Sequence, residues 1–267
     1  MNPGPAPQRP WGSAAKPAIA LAVAGALSTL AVLPYALELM APELRRLLPP
    51  LHVLLPAQFV QALVLMGLMS WIGLALGPGL GLDAPWLRHA FARAPGPAPA
   101  WRRPLLEAVA GAVIAVAAVA AVMALLDDRL PPMRVAEPPS PGPGIGLLAS
   151  FYGAIGEEIQ LRLFLVTLLA WLLVRGSRRR IGARPAIGVG IVLAALAFGA
   201  GHLPAAAQLW PLDAIVVART LLANGVAGLV FGVLYARRGL ETAMAAHFLA
   251  DVALHVAGPL LAGAAAS

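Results

Sequence analysis

GAIGEEIQLRLFLVTLLAWLLV, residues 153–174, decides the fold. Its second half is an apolar run of the kind that crosses a bilayer, and its first half places Glu157, Glu158 and Arg162 in the same stretch. About 20 mainly apolar residues suffice for a helix to span the hydrocarbon core. Ionisable groups at that depth cost kilocalories each and face a protein interior or a water-filled cavity. On a helix turning ~100° per residue, Glu158 and Arg162 share a face and form a charge-assisted pair, whereas Glu157 points ~100° away and is left for another partner.

The rest of the chain has the same character. Of its 267 residues, 60% are hydrophobic and 12% charged, far from the balance of a soluble domain. Seven windows are long and apolar enough to span, at about 17–40, 53–78, 104–126, 146–174, 186–203, 212–236 and 240–264. The expected fold is therefore an all-α polytopic helix bundle, with its polar site among spans four, five and seven. A Pro-rich segment, 1–16, precedes spans and loops over 17–145, and the polar core occupies 146–267. The first apolar run is too long for the core of a cleaved secretory signal, so it is expected to remain as a span.

All but Lys16 of the 19 basic residues are arginine, and their placement orients the bundle. Arg9, Lys16, Arg88, Arg93, Arg102, Arg103, Arg175, Arg178, Arg179, Arg180, Arg184, Arg237 and Arg238 fall on one side of the alternating spans. Only Arg45, Arg46, Arg129 and Arg134 fall on the other, partly offset by Glu43, Asp127, Asp128 and Glu137. Cytoplasmic loops collect Lys and Arg, so the bias predicts a cytoplasmic N-terminus; the abundance of Arg, Ala, Gly and Pro suggests a GC-rich genome, and with it a bacterial inner membrane. The net charge of +7 is a topology signal and gives no reason to invoke nucleic acid. With no cysteine, the chain has no disulfide, thiolate metal site or cysteine nucleophile.

Two further motifs complete the polar set. FGAGH, 198–202, spaces Phe198 and His202 four apart around the small residues Gly199, Ala200 and Gly201, which admit another backbone. HFLAD, 247–251, sets His247 and Asp251 on one face, with His255 one turn on. Arg219 and Asn224 in the sixth span suit helix–helix hydrogen bonding, and His52 and His89 carry no role. A carboxylate beside imidazoles suits hydrolysis by an activated water. The same set, Glu157, His202, His247 and Asp251, suits a divalent metal such as zinc. It also suits a proton- or ion-coupled transporter, or an inert membrane scaffold or immunity protein. There is no HExxH, no GxGD and no rhomboid-type serine motif.

EEIQLR, FGAGH and HFLAD fit EExxxR, FxxxH and Hxxx(N/D) in order and on late spans. In this the chain resembles the CPBP family of intramembrane proteases, the CAAX-protease and bacteriocin-processing group. The resemblance implies a membrane endopeptidase acting on a peptide or membrane-protein substrate. It implies that Glu157 activates the water, Glu158 assists or pairs with Arg162, and His202 holds the water or a metal. His247 and Asp251 would orient or stabilise the oxyanion. Asp251 stands where eukaryotic members have Asn, and a carboxylate donates no hydrogen bond unless protonated, which favours orienting a histidine or binding a metal. Leu163 stands where many members have Gly, and Leu161 where they often have Phe. Counted at ~1.5 Å per residue from the cytoplasmic helix ends, Glu157 lies about 26 Å deep and His202 about 24 Å. Asp251 lies about 17 Å deep and His247 about 10 Å, so by depth His255 competes with His247.

Overall fold

The computed structural model describes residues 10–92, 96–135 and 141–261, and Arg9, Arg93 and Glu137 of the charge balance lie outside them, as does most of segment 1–16. Among the described residues there are helices and no strands. Seven helices are long and apolar enough to cross a membrane: Trp11–Leu39, Leu51–Leu80, Arg102–Arg129, Pro143–Gly176, Ala183–Leu209, Ala214–Arg238 and Leu240–Leu261. These match the seven expected windows, the first starting earlier.

The distribution of side-chain size identifies the solvent. Large aliphatic residues point outward, with Leu106 70% exposed and Val113 63% exposed. The interior is made largely of alanine, including Ala14, Ala108, Ala186 and Ala243 at 0% exposure. Lipid tails are as apolar as leucine, so helices associate by close approach of small residues and not by hiding bulk. The chain is an integral membrane protein.

Close approach is concentrated where it positions the fourth span. A Cβ on Gly73 of the second span would collide with the backbone of Leu163 and come within 2.7 Å of its Cγ. Leu163 is fully buried there. Leu163 is thus accommodated by a glycine on the facing helix. Thr167 and Tyr235 share a buried 2.8 Å hydrogen bond that joins the fourth and sixth spans. Arg238 donates to both oxygens of Glu107 at 2.8 and 2.6 Å, fixing the sixth span to the third.

The seventh span starts at a tight turn after the sixth. Gly239, at φ +95°, makes this turn in the left-handed region that favours glycine. Asp83 O accepts from Leu240 N at 3.0 Å, and Glu241 Oε1 accepts from Leu87 N at 2.8 Å. Leu240 is 1% exposed. The start of the seventh span is thus packed against the segment that holds Asp83 and Leu87.

Candidate active site

The site starts from an irregular helix. The fourth span is π-helical from Tyr152 to Val166, and the seventh from Ala253 to Ala257, just beyond Asp251. An i→i+5 turn holds more residues than an α-turn, so neighbouring side chains diverge by less than the ~100° assumed from the sequence. Glu157 and Glu158 consequently both address the same imidazole.

Glu158 is the anchored one. It is 0% exposed, and its Oε1 accepts from His247 Nδ1 at 2.8 Å and lies 2.9 Å from Arg162 Nη1. The Arg162 contact is an ion pair whose angle misses hydrogen-bond geometry; Arg162 Nη2 donates instead to Gly228 O at 3.2 Å. The guanidinium also lies over Phe198 and Phe231, 5.1 and 5.4 Å from their centroids. Phe231 stacks on His247 at 4.4 Å and 22°. Aromatic faces attract a desolvated cation, so this packing offsets part of the cost of burying Arg162.

His247 turns its other nitrogen toward two more carboxylates. Nε2 is 3.7 Å from Glu157 Oε2 and 3.6 Å from Asp251 Oδ1. Both exceed a direct hydrogen bond, so the coupling is electrostatic. This crowding requires Gly153: a Cβ there would overlap Asp251 Oδ2 and come within 3.1 Å of His247 Nε2. His255 stands apart, its ring against Tyr35 at 5.7 Å. Of the two competing histidines, His247 is the one that meets the glutamates.

Glu157 is the exposed one. It lines a cavity of about 700 Å³ together with His202, Tyr152, Gln160, Tyr35 and Thr29. His247 and Asp251 are not on this wall. The fifth span breaks at His202, between Gly201 and a short helix, Leu203–Leu209. His202 Nδ1 donates to Phe198 O at 2.8 Å, which makes Nε2 the acceptor nitrogen of the neutral ring. Gln160 Nε2 donates to Tyr152 Oη at 3.1 Å, so the tyrosine proton is left to donate elsewhere. A smaller cavity of about 150 Å³ shares Thr29, Tyr152 and Gln160 and adds Gln58 and Gln61 of the second span.

Several of these residues escaped the sequence reading. Tyr152, Gln160 and Gly153 flank the motif itself, and Gly228 and Phe231 lie within GLVFG, 228–232, whose GxxxG spacing is the signal that marks them. Gly228 and Gly232 do face the fifth span, at Ala195 and Ile191. Of the two FGAGH glycines, only Gly199 meets a neighbouring backbone, at Leu221. Arg219 pairs with Asp127 at 2.6 Å, and Asn224 bonds its own helix at Thr220 O.

As a metal site the arrangement does not fit. Among the described residues no three His, Asp or Glu side chains are grouped so as to hold an ion. His247 Nδ1 bonds Glu158 and His202 Nδ1 bonds Phe198 O, which leaves the two Nε2 atoms as the available ligand nitrogens.

Fold and site together define a polytopic membrane protein with a carboxylate–imidazole cluster at the wall of an internal cavity. Residues 139–253 match the family model described as type II CAAX prenyl endopeptidase Rce1-like, a family of proteases. The matched region holds Glu157, Glu158, Arg162, His202, His247 and Asp251, so the resemblance carried by the three motifs is shown for that part of the chain. Comparisons with curated proteins and with solved structures gave no match.

Proposed function

We propose that the protein is an intramembrane endopeptidase that hydrolyses a peptide bond of a membrane-associated protein or peptide, using water activated by Glu157. The observation that carries this reading is the division between adjacent carboxylates. Glu158 is locked by Arg162 and His247, while Glu157 faces a cavity shared with His202.

Glu157 takes one proton from the water as its oxygen attacks the carbonyl carbon, and His202 Nε2 accepts a hydrogen bond from the same water. The carbonyl π electrons move onto oxygen, where the Tyr152 hydroxyl is the donor on the cavity wall. Collapse re-forms the C=O and breaks the C–N bond, and the proton held by Glu157 passes to the leaving amine. His247 and Asp251 are positioning residues: the imidazole anchors on Glu158 through Nδ1, and its Nε2 faces both Glu157 and Asp251.

The test is proteolysis by purified protein in liposomes, offered a farnesylated CAAX peptide and a pool of unlipidated single-span peptides. Wild type should cleave a member of one set. Glu157→Ala should lose about 10²–10⁴-fold, the usual contribution of a general base, and His247→Ala should lose activity with it. Full activity retained in both variants would sink the reading.

A further inference from the structure

The cavity has a mouth, and the chain's charge says which side of the membrane it faces. Seven alternating spans put the connections 40–50, 130–135 with 141–142, and 210–213 on one side, together with the end of the seventh helix. The cavity wall runs to that side: Met40 and Leu44 come from the first of these connections, and Pro204, Ala205 and Gln208 from the short helix Leu203–Leu209 that leads into the last. Leu44 is 46% exposed. The same side is tied together by Arg134 N, which donates to Leu209 O, and by the Arg219–Asp127 pair.

The opposite side carries the arginines. Arg175, Arg178, Arg179, Arg180 and Arg184 surround the turn between the fourth and fifth spans. Arg237 and Arg238 end the sixth. On that face Asp83 and Leu87 bind the start of the seventh span at Leu240 and Glu241, and no residue of that segment lines the cavity. Segments dense in Lys and Arg stay cytoplasmic.

We infer that the cavity opens to the extracytoplasmic side, so that the enzyme receives extended peptide segments of membrane-anchored chains presented from that side and not from the cytoplasm. This rests on the endopeptidase reading for the word enzyme, but the orientation stands on geometry and charge alone. The walls narrow the class further. Glu157 and His202 are the charged or basic side chains on the lining, and the remainder is apolar or neutral. A volume of about 700 Å³ lies within the range of small-molecule pockets, ~300–1,000 Å³, enough for a short stretch of neutral, apolar side chains.

The absence of native cysteine makes the test direct. Single-cysteine variants Leu44→Cys and Ala205→Cys at the mouth, and Arg180→Cys on the arginine-rich face, are made in the full chain. They are treated in intact spheroplasts with a membrane-impermeant maleimide. Leu44→Cys and Ala205→Cys should label without permeabilisation, and Arg180→Cys only after it; the reverse pattern overturns the inference. A paired reporter reads the substrate side: a randomised juxtamembrane segment is fused on either the extracytoplasmic or the cytoplasmic side of a single span. Cleavage that depends on Glu157 should be confined to the extracytoplasmic set, and confinement to the cytoplasmic set would overturn the inference. Labelling needs no turnover, so the expected labelling without any Glu157-dependent cleavage contradicts the endopeptidase reading and leaves the orientation standing.

Discussion

Two carboxylates one residue apart live in opposite surroundings. Glu158 belongs to a closed knot, bonded to His247, paired with Arg162 and roofed by Phe198 and Phe231. Glu157 belongs to an open wall with His202 and Tyr152. The knot resembles a core, in which buried charges face one another and removal of one partner strands another. The wall resembles a reaction vessel, in which donors and acceptors are left free. Membrane proteins can hold a charge at depth for either purpose, and here the same turn of helix does both.

Breaking the knot should have the largest effect. Arg162→Met leaves Glu158 as a buried charge without its cation, and loss of one partner of a buried pair costs about 3–5 kcal/mol. Unfolding in detergent should show that loss, and a stability equal to wild type would contradict the anchoring role. On the wall, Tyr152→Phe removes one donor and should lower kcat by about 10²–10³ with unfolding unchanged. An equal fall in stability and rate would assign Tyr152 to packing. Gly153→Ala tests the seam between the two regions. The added methyl meets Asp251 and His247, so overpacking of about 1–3 kcal/mol should accompany a fall in activity. The smallest effect contrasts two glycines of one motif. Gly199→Ala should destabilise against Leu221, whereas Gly201→Ala, with open space around it, should stay within about 0.5 kcal/mol of wild type.

The spans and the six motif residues were legible because lipid makes their chemistry conspicuous. A charge or imidazole in an apolar window needs a reason, and three such motifs in order pointed to one site. Phe231, Gly228 and Gly153 were not legible, since an aromatic or a glycine in a membrane helix looks like any other packing residue. Their importance comes from what faces them on other spans. The backbone was equally hidden: α-helical geometry sent Glu157 away from Glu158, and the wider turn of residues 152–166 brings both to His247. The count of depth along the seventh span did not separate His247 from His255; the contacts with Glu157 and Glu158 do. The first two spans, outside the polar core expected at 146–267, also reach the site: Thr29 lines both cavities, and Gln58 and Gln61 line the smaller one.

The most direct measurement sets Glu157→Gln beside Glu158→Gln, with hydrolysis and unfolding recorded on the same preparations. If Glu157 is the base and Glu158 the anchor, Glu157→Gln loses about 10²–10⁴-fold in rate at unchanged stability. Glu158→Gln, which leaves Arg162 buried without a counter-charge, loses stability first. Hydrolysis that survives Glu157→Gln at the wild-type rate, or an equal loss of stability in both variants, would contradict the division of the two carboxylates.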